Sequence, residues 1–456
     1  MKGLATIAVF DIGKTNKKLL LFNEQYQVVF EESARFPEIA DEDGFPCEDI
    51  HALTRWVRDK FAAVHADPGF TVRAVNFSGY GASFVYLDDH GEVMLPLYNY
   101  LKPFPENLGE KFYEDYGGEG LVCRQTASPA LGSLNSGLQL YRIKHEKPEV
   151  FNRIKYALHL PQYLSYILSG SCHSELTSIG CHTHLWDFEK NQYHSWVIEE
   201  ELDAKFPALK SAGNLAGYYQ DKIKIGTGLH DSSAALIPYI SSFSVPFVLL
   251  STGTWNITLN PFNHEPLTDD ELQHDCLCFL SFQGRQVKAS RLFAGYEHEQ
   301  ELKRIAEHFN LPPDHYMTLE YSKEVMARLR NAGLLDNSRG GNDLVNFGTR
   351  DVESFNSYVE AYHQLVADIV AGQMKSTKRI LGNVKRIFVD GGFSRNPIFM
   401  HLLSEAFPEL EVYAASVSQA SAIGAALVIH DQWNEKARPS DLIEIKLYAG
   451  TGRAMT

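Results

Sequence analysis

Residues 7–22 read IAVFDIGKTNKKLLLF, and residues 247–259 read FVLLSTGTWNITL. Each stretch is an apolar run, a short polar turn that contains glycine, and a second run, so each predicts a β-hairpin. The two share little identity but lie about half the chain apart, which indicates one structural plan used twice. The repeat predicts two similar domains. Hydroxyl and backbone N–H groups at facing hairpin tips could grip a polyphosphate from both sides.

Composition narrows the class of protein and of partner. The chain has 456 residues, of which 44% are hydrophobic, enough to build the cores of two or three domains. Its formal net charge of −15 and the lack of a basic run argue against binding to nucleic acid or to an anionic membrane. No apolar run approaches the roughly 18 residues that span a bilayer. A small molecule is therefore the expected partner.

The start of the chain and the cysteines bear on the expected compartment. The short apolar run before Asp11 continues into polar residues without a small-residue cleavage site, so it predicts a first strand rather than a signal peptide. The six cysteines are irregularly spaced, and the His and Cys spacings match no zinc-binding pattern. These features lead us to expect a reducing cytoplasm.

The expected domain boundary lies between Pro238 and Pro246, where serines interrupt the apolar pattern, giving domains of residues 1–243 and 244–456. Alternating helix and strand patterns predict α/β layers in both. Apolar residues recur at helical spacing from Phe355 to Ile369. The stretch from Asn310 to Phe347 is expected to be rich in loops, with a turn at Gly340–Gly341.

Two later segments indicate close approach of backbone or ligand. Residues 386–390 form an apolar run that predicts a strand, followed by Gly391–Gly392 and by a helix that Asn396 would cap and Pro397 would open. This order of strand, glycine turn and helix suits the approach of a nucleotide. Residues 418–427 predict a helix of small side chains, against which another backbone or a ligand must pack closely.

Five segments, in this order, resemble motifs of the FGGY carbohydrate kinase family. They are the first phosphate loop from Asp11 to Lys18, the sugar-side segment from Gly79 to Gly91, the catalytic segment Gly228–Ser232, the second phosphate loop Ser251–Trp255 and the adenosine loop Asp390–Asn396. The form of the second phosphate loop, and residues 135–170, are most similar to rhamnulose and fuculose kinases. Lys14, Gln162 and Phe393 depart from the usual Thr, Asp and Gly.

The resemblance implies two actin-like (ribonuclease H-like) domains of the sugar kinase, heat-shock and actin fold, with a cleft between them. It implies ATP and Mg²⁺ as cofactors, and a sugar whose hydroxyl is phosphorylated with Asp231 as catalytic base. Asp11 would hold Mg²⁺ through water. The implied ATP contacts are Gly13, Thr15, Lys18, Thr252, Gly253, Thr254, Gly391, Gly392 and Asn396. The implied sugar contacts are Gly81, Asn99, His230 and Asp231.

Structural and functional alternatives stay open at this point. Asp231 also reads as a helix N-cap, and Asp11 as an ordinary turn residue. The sugar is expected to be L-rhamnulose or L-fuculose, with other ketoses or polyols such as xylulose, ribulose or glycerol as the alternative. A nucleotide switch without transfer is a second class, although it would need no base aimed at a sugar hydroxyl. The oligomeric state is open, with a homodimer as one option.

Overall fold

The structure is a computed structural model that describes residues 3–335, 346–417 and 419–448. The turn expected at Gly340–Gly341 and the first residue of the expected small-residue helix, Ser418, lie outside the described residues. Within the described part of the chain, no helix is both long enough and apolar enough to span a bilayer.

The first half of the chain builds a seven-stranded sheet, here called the N-terminal sheet. Its strands are Leu4–Ile12, Lys17–Asn23, Val28–Ala34, Phe70–Gly79, Leu215–Tyr219, Ile223–Gly226 and Leu229–His230. The first three strands pair antiparallel, and Leu4–Ile12 also pairs in parallel with Phe70–Gly79. The predicted first hairpin is therefore confirmed, with Ile12 opposite Lys17 at its tip.

The second half builds another seven-stranded sheet, here called the C-terminal sheet. Its strands are Phe247–Thr252, Asn256–Asn260, Cys276–Leu280, Gln286–Leu292, Arg386–Gly391, Glu411–Ser416 and Glu444–Tyr448. The second predicted hairpin opens this sheet, with Thr252 opposite Asn256. Its first strand also pairs in parallel with Arg386–Gly391, so both sheets share an antiparallel hairpin beside a parallel strand. The predicted repeat is confirmed.

Helices cover the faces of both sheets. They are Ile50–Ala66, Glu106–Asp115, Glu119–Gln125, Ser136–Glu146, Pro148–Arg153, Leu160–Ser169, Leu176–Ile179, Ser195–Glu199, Asp231–Ser242, Asp269–Gln273, Ala294–Phe309, Lys323–Asn331, Tyr358–Ile380, Pro397–Ala406, Ala420–Leu427 and His430–Trp433. Short strand pairs join Ile39–Ala40 to Pro46–Cys47, Phe84–Leu87 to Tyr156–His159, Ser174–Glu175 to Leu209–Lys210, and Trp186–Asp187 to Gln192–Tyr193. The predicted α/β layering is confirmed.

Three local expectations need correction. Pro238 lies inside the helix Asp231–Ser242 and not in a linker, so the chain leaves the first half only after Ser242. The amphipathic helix begins at Tyr358, because Ser357 accepts a hydrogen bond as its cap, and Phe355 packs into the core before it. The stretch expected to be rich in loops also contains the helix Lys323–Asn331, whose residues Val325, Met326 and Leu329 are buried.

Two helices join the sheets: the Asp231 helix (Asp231–Ser242) and the Gly424 helix (Ala420–Leu427). They pack against each other, and the Gly424 helix also contacts the N-terminal strands Leu4–Ile12 and Phe70–Gly79. Their buried side chains share one core with Val9 of the N-terminal sheet and Leu249 of the C-terminal sheet. The helix pair therefore lies between the two halves and belongs to the core of both.

The contact between these helices depends on a proline and a glycine. Pro238 has no N–H, so it cannot donate to the carbonyl of Ala234 four residues earlier. Gly424 occupies that space: a Cβ atom on Gly424 would lie 1.9 Å from the Ala234 oxygen. Only a glycine fits at this distance, and its Cα–H can contact the free carbonyl. This explains the glycine at position 424 of the small-residue helix.

We expect Gly424→Ala to lower the free energy of unfolding by about 1–3 kcal/mol, because the added methyl group must push two backbones apart. Gly120→Ala is the matched control, since Gly120 is also helical and has open space around its Cα. The control should be neutral or stabilising by up to about 1 kcal/mol, the helix propensity of alanine over glycine. Urea unfolding of both variants measures the difference. Equal stability of the two variants would contradict the proposed contact.

Candidate active site

Asp231 is the first residue of its helix, one position after the N-cap residue His230, so the N-cap expected at Asp231 is displaced by one. Its Oδ1 accepts a hydrogen bond from the backbone N–H of Ser232 at 2.6 Å. The carboxylate lies at the positive end of the helix and faces a cavity of about 220 Å³. That cavity is lined by Asp231, Ser232, Ala235, Leu249, Ser251, Ile257, Leu259 and Ser421. It is therefore open to both halves of the chain.

His230 lies directly behind this carboxylate. Its Nε2 is 3.4 Å from Asp231 Oδ1, and its backbone N–H donates to Thr177 Oγ1 at 3.0 Å. The ring is buried, and burial lowers its pKa although the charge of Asp231 acts the other way. Gly81 leaves the space for it, because a Cβ atom there would lie 2.9 Å from His230 Nε2. The structure thus places Gly81, His230 and Asp231 next to one another, and their role as sugar contacts stays a prediction.

Asp11, on the first hairpin, is hydrogen-bonded to a residue that lines this cavity. Its Oδ2 accepts a hydrogen bond from Ser421 Oγ at 2.8 Å, and Ser421 lines the cavity beside Asp231. Burial raises the pKa of Asp11 to about 6, the nearby charge of Asp231 adds to this, and the hydrogen bond from Ser421 opposes it. No ion pair joins Asp11 to a lysine or arginine of the described residues. The positive charge of Lys18 lowers the pKa of Asp11 without offsetting its burial. A hard divalent cation would add positive charge at this carboxylate, so Asp11 suits the Mg²⁺ expected there.

A second cavity, of about 520 Å³, lies on the other side of the second hairpin. It is lined by Thr252, Gly253, Gly295, His298, Tyr316, Met317, Gly392, Phe393, Arg395, Asn396 and Pro397. Ser251 lines the first cavity and Thr252 the second, so adjacent residues of one strand border both. Gly391 allows the segment Asp390–Asn396 to pass close to the end of the strand Phe247–Thr252. Its φ is +90°, and a Cβ atom on it would lie 2.0 Å from the Thr252 carbonyl oxygen.

Of the other expected ATP contacts, some have side chains that bond to groups within the protein and others have side chains exposed to solvent. Thr252 is used internally, since its Oγ1 donates to the Asp390 carbonyl and accepts from the N–H of Phe393. Lys18 Nζ contacts Gln419 Oε1 at 3.1 Å and Glu31 Oε1 at 3.3 Å. The exposed hydroxyl-bearing tips of the hairpins, Thr15 and Thr254, face solvent beside Gly13 and Gly253. These roles stay predictions.

Asn99 lies apart from this group. Its Nδ2 donates to the Pro46 carbonyl at 3.0 Å, and its Oδ1 accepts from the Leu101 N–H at 3.0 Å. It borders a small separate cavity with Lys102 and Arg142. Its expected role as a sugar contact is not supported by any contact with Asp231 or His230 and stays a prediction.

Both halves of the chain match domains of one protein family. The N-terminal domain of the FGGY family of carbohydrate kinases matches residues 6–238, and the FGGY C-terminal carbohydrate kinase domain matches residues 244–438. The chain belongs to the FGGY family of carbohydrate kinases. Its expected membership is confirmed.

Curated relatives and solved structures are more distant. A rhamnulokinase of Mannheimia succiniciproducens is 23% identical over 270 residues, which cover 56% of this chain and 53% of that protein. A rhamnulokinase of Halalkalibacterium halodurans is 22% identical over 261 residues, 54% of each chain. The chain thus matches about half the length of these relatives.

Among solved structures, a carbohydrate kinase from Novosphingobium aromaticivorans superposes with a TM-score of 0.79 at 23% identity, covering 98% of this chain and 95% of that one. A ligand-bound xylulose kinase from Lactobacillus acidophilus has a TM-score of 0.77 at 15% identity, covering 98% and 94%. These likenesses confirm the expected two-domain fold of this FGGY kinase.

Several residues of the site could not be identified from the sequence. Ser421 belongs to the small-residue helix, whose composition indicated close approach but not a hydrogen bond to Asp11. Tyr239, which donates to Asp390 at 2.8 Å, and His298 of the second cavity carry no local sequence signal. Their roles depend on contacts between segments far apart in the chain.

The raised pKa of Asp11 predicts that this carboxylate destabilises its own fold. Its pKa is about 6 in the folded chain against an ordinary 3.8, so the folded state resists ionisation. The full cost is present above about pH 6, shrinks as the pH falls from 6 towards 4, and is lost below about pH 4, where both states are protonated. At pH 7.5, Asp11→Asn should therefore raise the free energy of unfolding by about 1–3 kcal/mol, since one pKa unit corresponds to about 1.4 kcal/mol.

Urea unfolding at pH 7.5 and pH 4.5, without nucleotide or magnesium, measures this. The gain should shrink at the lower pH. Asp89→Asn, at an exposed turn, is the control and should change stability by less than about 0.5 kcal/mol at either pH. A destabilised Asp11→Asn at pH 7.5 would contradict the interpretation.

Proposed function

We propose that this FGGY kinase transfers the γ-phosphoryl group of ATP to a sugar hydroxyl in the cleft between the two cavities. The observation that carries the proposal is the second hairpin, where Ser251 borders the cavity of Asp231 and Thr252 borders the larger cavity. The larger cavity has the volume and mixed lining of a nucleoside site. A triphosphate that passes the hairpin tip would present its last phosphate to Asp231.

The chemistry follows from the two carboxylates. Asp231 accepts the proton of the attacking hydroxyl while the new O–P bond forms and the bond from the γ-phosphorus to the bridging oxygen breaks, releasing ADP. His230, neutral because burial lowers its pKa, adds no positive charge that would weaken the base. Backbone N–H groups at the two hairpin tips would orient the phosphates.

Asp11 would hold Mg²⁺ through water at the first hairpin, where the ion would neutralise charge on the phosphates. The hydrogen bond from Ser421 fixes one oxygen of Asp11. The carboxylate is thus oriented before any ligand binds.

For the substrate we propose a 6-deoxyketohexose, L-rhamnulose or L-fuculose, phosphorylated at O1. The support is the sequence likeness of residues 135–170 and of the second phosphate loop, together with the rhamnulokinase relatives. Another ketose or a polyol is the alternative, and a non-transferring ATPase is a weaker one. We also propose the domain boundary at residues 243 and 244, and a cytoplasmic location.

Asp231→Asn should lower kcat by about 10²- to 10⁴-fold and leave KM for ATP nearly unchanged, because a base acts only in the transition state. Asparagine keeps the Oδ1 that accepts from Ser232, so the melting temperature should change little. Asp49→Asn makes the same substitution at the cap of the helix Ile50–Ala66, at a residue that lines neither cavity, and should keep full activity. Near-normal kcat in Asp231→Asn would remove Asp231 from the proposed chemistry.

A coupled ADP-release assay over L-rhamnulose, L-fuculose, D-xylulose, L-ribulose and glycerol tests the substrate. We expect the highest kcat/KM with one of the two 6-deoxyketoses. A much higher kcat/KM with D-xylulose or glycerol would replace the proposed sugar and leave the phosphotransfer chemistry intact. ADP release that no sugar or polyol in the panel stimulates would favour the non-transferring ATPase.

A further inference from the structure

One side chain in the larger cavity has a hydrogen-bonding role that neither the motifs nor the family assignment specify. His298, on the helix Ala294–Phe309, lines this cavity. Its Nε2 lies 3.0 Å from the hydroxyl of Tyr362, while its Nδ1 has no hydrogen-bond partner among the described residues. The protonation of the two ring nitrogens can be worked out from the neighbouring groups.

Asn396 caps the helix Pro397–Ala406 with its side chain. Asn396 Oδ1 accepts hydrogen bonds from the backbone N–H groups of Ile398 and Phe399, both at 3.1 Å. A backbone N–H can only donate, so the atom facing these groups is the oxygen and the side-chain nitrogen must point the other way. That nitrogen lies 2.6 Å from the Tyr362 hydroxyl. The helix cap thus fixes the orientation of the Asn396 amide.

The amide of Asn396 in turn fixes the hydrogen bonds of Tyr362. Its hydroxyl oxygen accepts from Asn396 Nδ2, and its side chain is fully buried. Burial raises the pKa of this phenol, so it keeps its single proton. Among the described residues, the remaining partner for that proton is His298 Nε2. Nε2 is therefore the acceptor, and the neutral ring carries its own proton on Nδ1.

The surroundings of His298 indicate what it would donate to. Tyr316 and Phe393 lie edge-on to its ring, with centroids at 5.3 Å and 5.0 Å, and Met317 lines the same cavity. Aromatic and thioether surfaces suit the faces of a planar base. Burial lowers the pKa of His298 to about 4, so the ring is uncharged at neutral pH.

We propose that His298 is a specificity-determining residue of the nucleotide site, which donates a hydrogen bond from Nδ1 to a ring nitrogen of a purine base. Asn396 and Tyr362 act as positioning residues that set its tautomer. This inference rests on the proposed function, because it takes the larger cavity as the nucleoside site. It adds the residue that would read the base and the atom through which it would donate.

Calorimetric titration with ADP and Mg²⁺, in the absence of sugar, tests the contact. His298→Phe keeps a ring but removes both nitrogens, and it should weaken ADP binding by about 3- to 10-fold, the usual effect of one neutral hydrogen bond. His298→Asn places an amide N–H near the position of Nδ1 and should restore most of the affinity. His308→Phe and His308→Asn, at an exposed site on the same helix, are matched controls and should bind as the parent chain does.

Base analogues identify the acceptor. The 1-deaza, 3-deaza and 7-deaza forms of ADP each lack one ring nitrogen. One of them should bind the parent chain about 3- to 10-fold more weakly than ADP and bind His298→Phe no more weakly than ADP does. Equal losses in the parent chain and in His298→Phe for all three analogues would overturn the proposed contact.

The tautomer has its own readout. In protein labelled with ¹⁵N-histidine, the signals of His298, assigned by their loss in His298→Asn, should show the proton on Nδ1. Tyr362→Phe should move the proton towards Nε2 and weaken ADP binding. An Nε2 proton in the parent chain would overturn the inference, as would unchanged ADP affinity in a folded His298→Phe. A parent chain that binds no ADP at all would overturn the proposed function and this inference with it.

Discussion

The contact between Gly424 and the Ala234 carbonyl is the constraint on which the rest of the structure depends. Pro238 removes the N–H that would normally satisfy this carbonyl, and the missing side chain of Gly424 lets a second helix occupy the space. Because the Asp231 helix and the Gly424 helix both belong to a core shared by the two sheets, the distance between them sets the distance between the two halves. A methyl group at this point would therefore displace more than one local contact.

The two carboxylates of the site are tied to the same helix pair. Asp231 begins one helix, and Ser421, near the start of the other, donates to Asp11 of the first hairpin. A second hydrogen bond links the same two segments, since Lys18 of the first hairpin donates to Gln419, the residue before the Gly424 helix. The helix contact thus holds two acidic side chains close enough for the charge of Asp231 to help raise the pKa of Asp11. The packing of these two helices therefore places an acidic group where a cation can bind. The same placement lowers the stability of the protein when no cation is bound.

Patterns of residues close together in the sequence predict much of the fold and part of the site. Apolar alternation and glycine turns predicted both hairpins, and the Asn396–Pro397 pair predicted the start of a helix, because these depend on residues close in sequence. The hydrogen bond between Ser421 and Asp11 joins segments about 400 residues apart, and only the folded chain brings them together. The same holds for the Asn396, Tyr362 and His298 contacts. Pro238 lies inside a helix although proline usually ends one, and the carbonyl that its missing N–H leaves unbonded is contacted by Gly424, nearly 200 residues later.

The central claim is that the cleft delivers phosphate to a sugar hydroxyl and not to water. The most direct measurement follows the fate of the γ-phosphate by ³¹P NMR during turnover with L-rhamnulose labelled with ¹³C at C1. The account predicts a new phosphomonoester signal coupled to the labelled carbon, formed in equal amount with ADP, and little inorganic phosphate. Inorganic phosphate as the sole product, with this sugar and with the other ketoses and polyols, would contradict it.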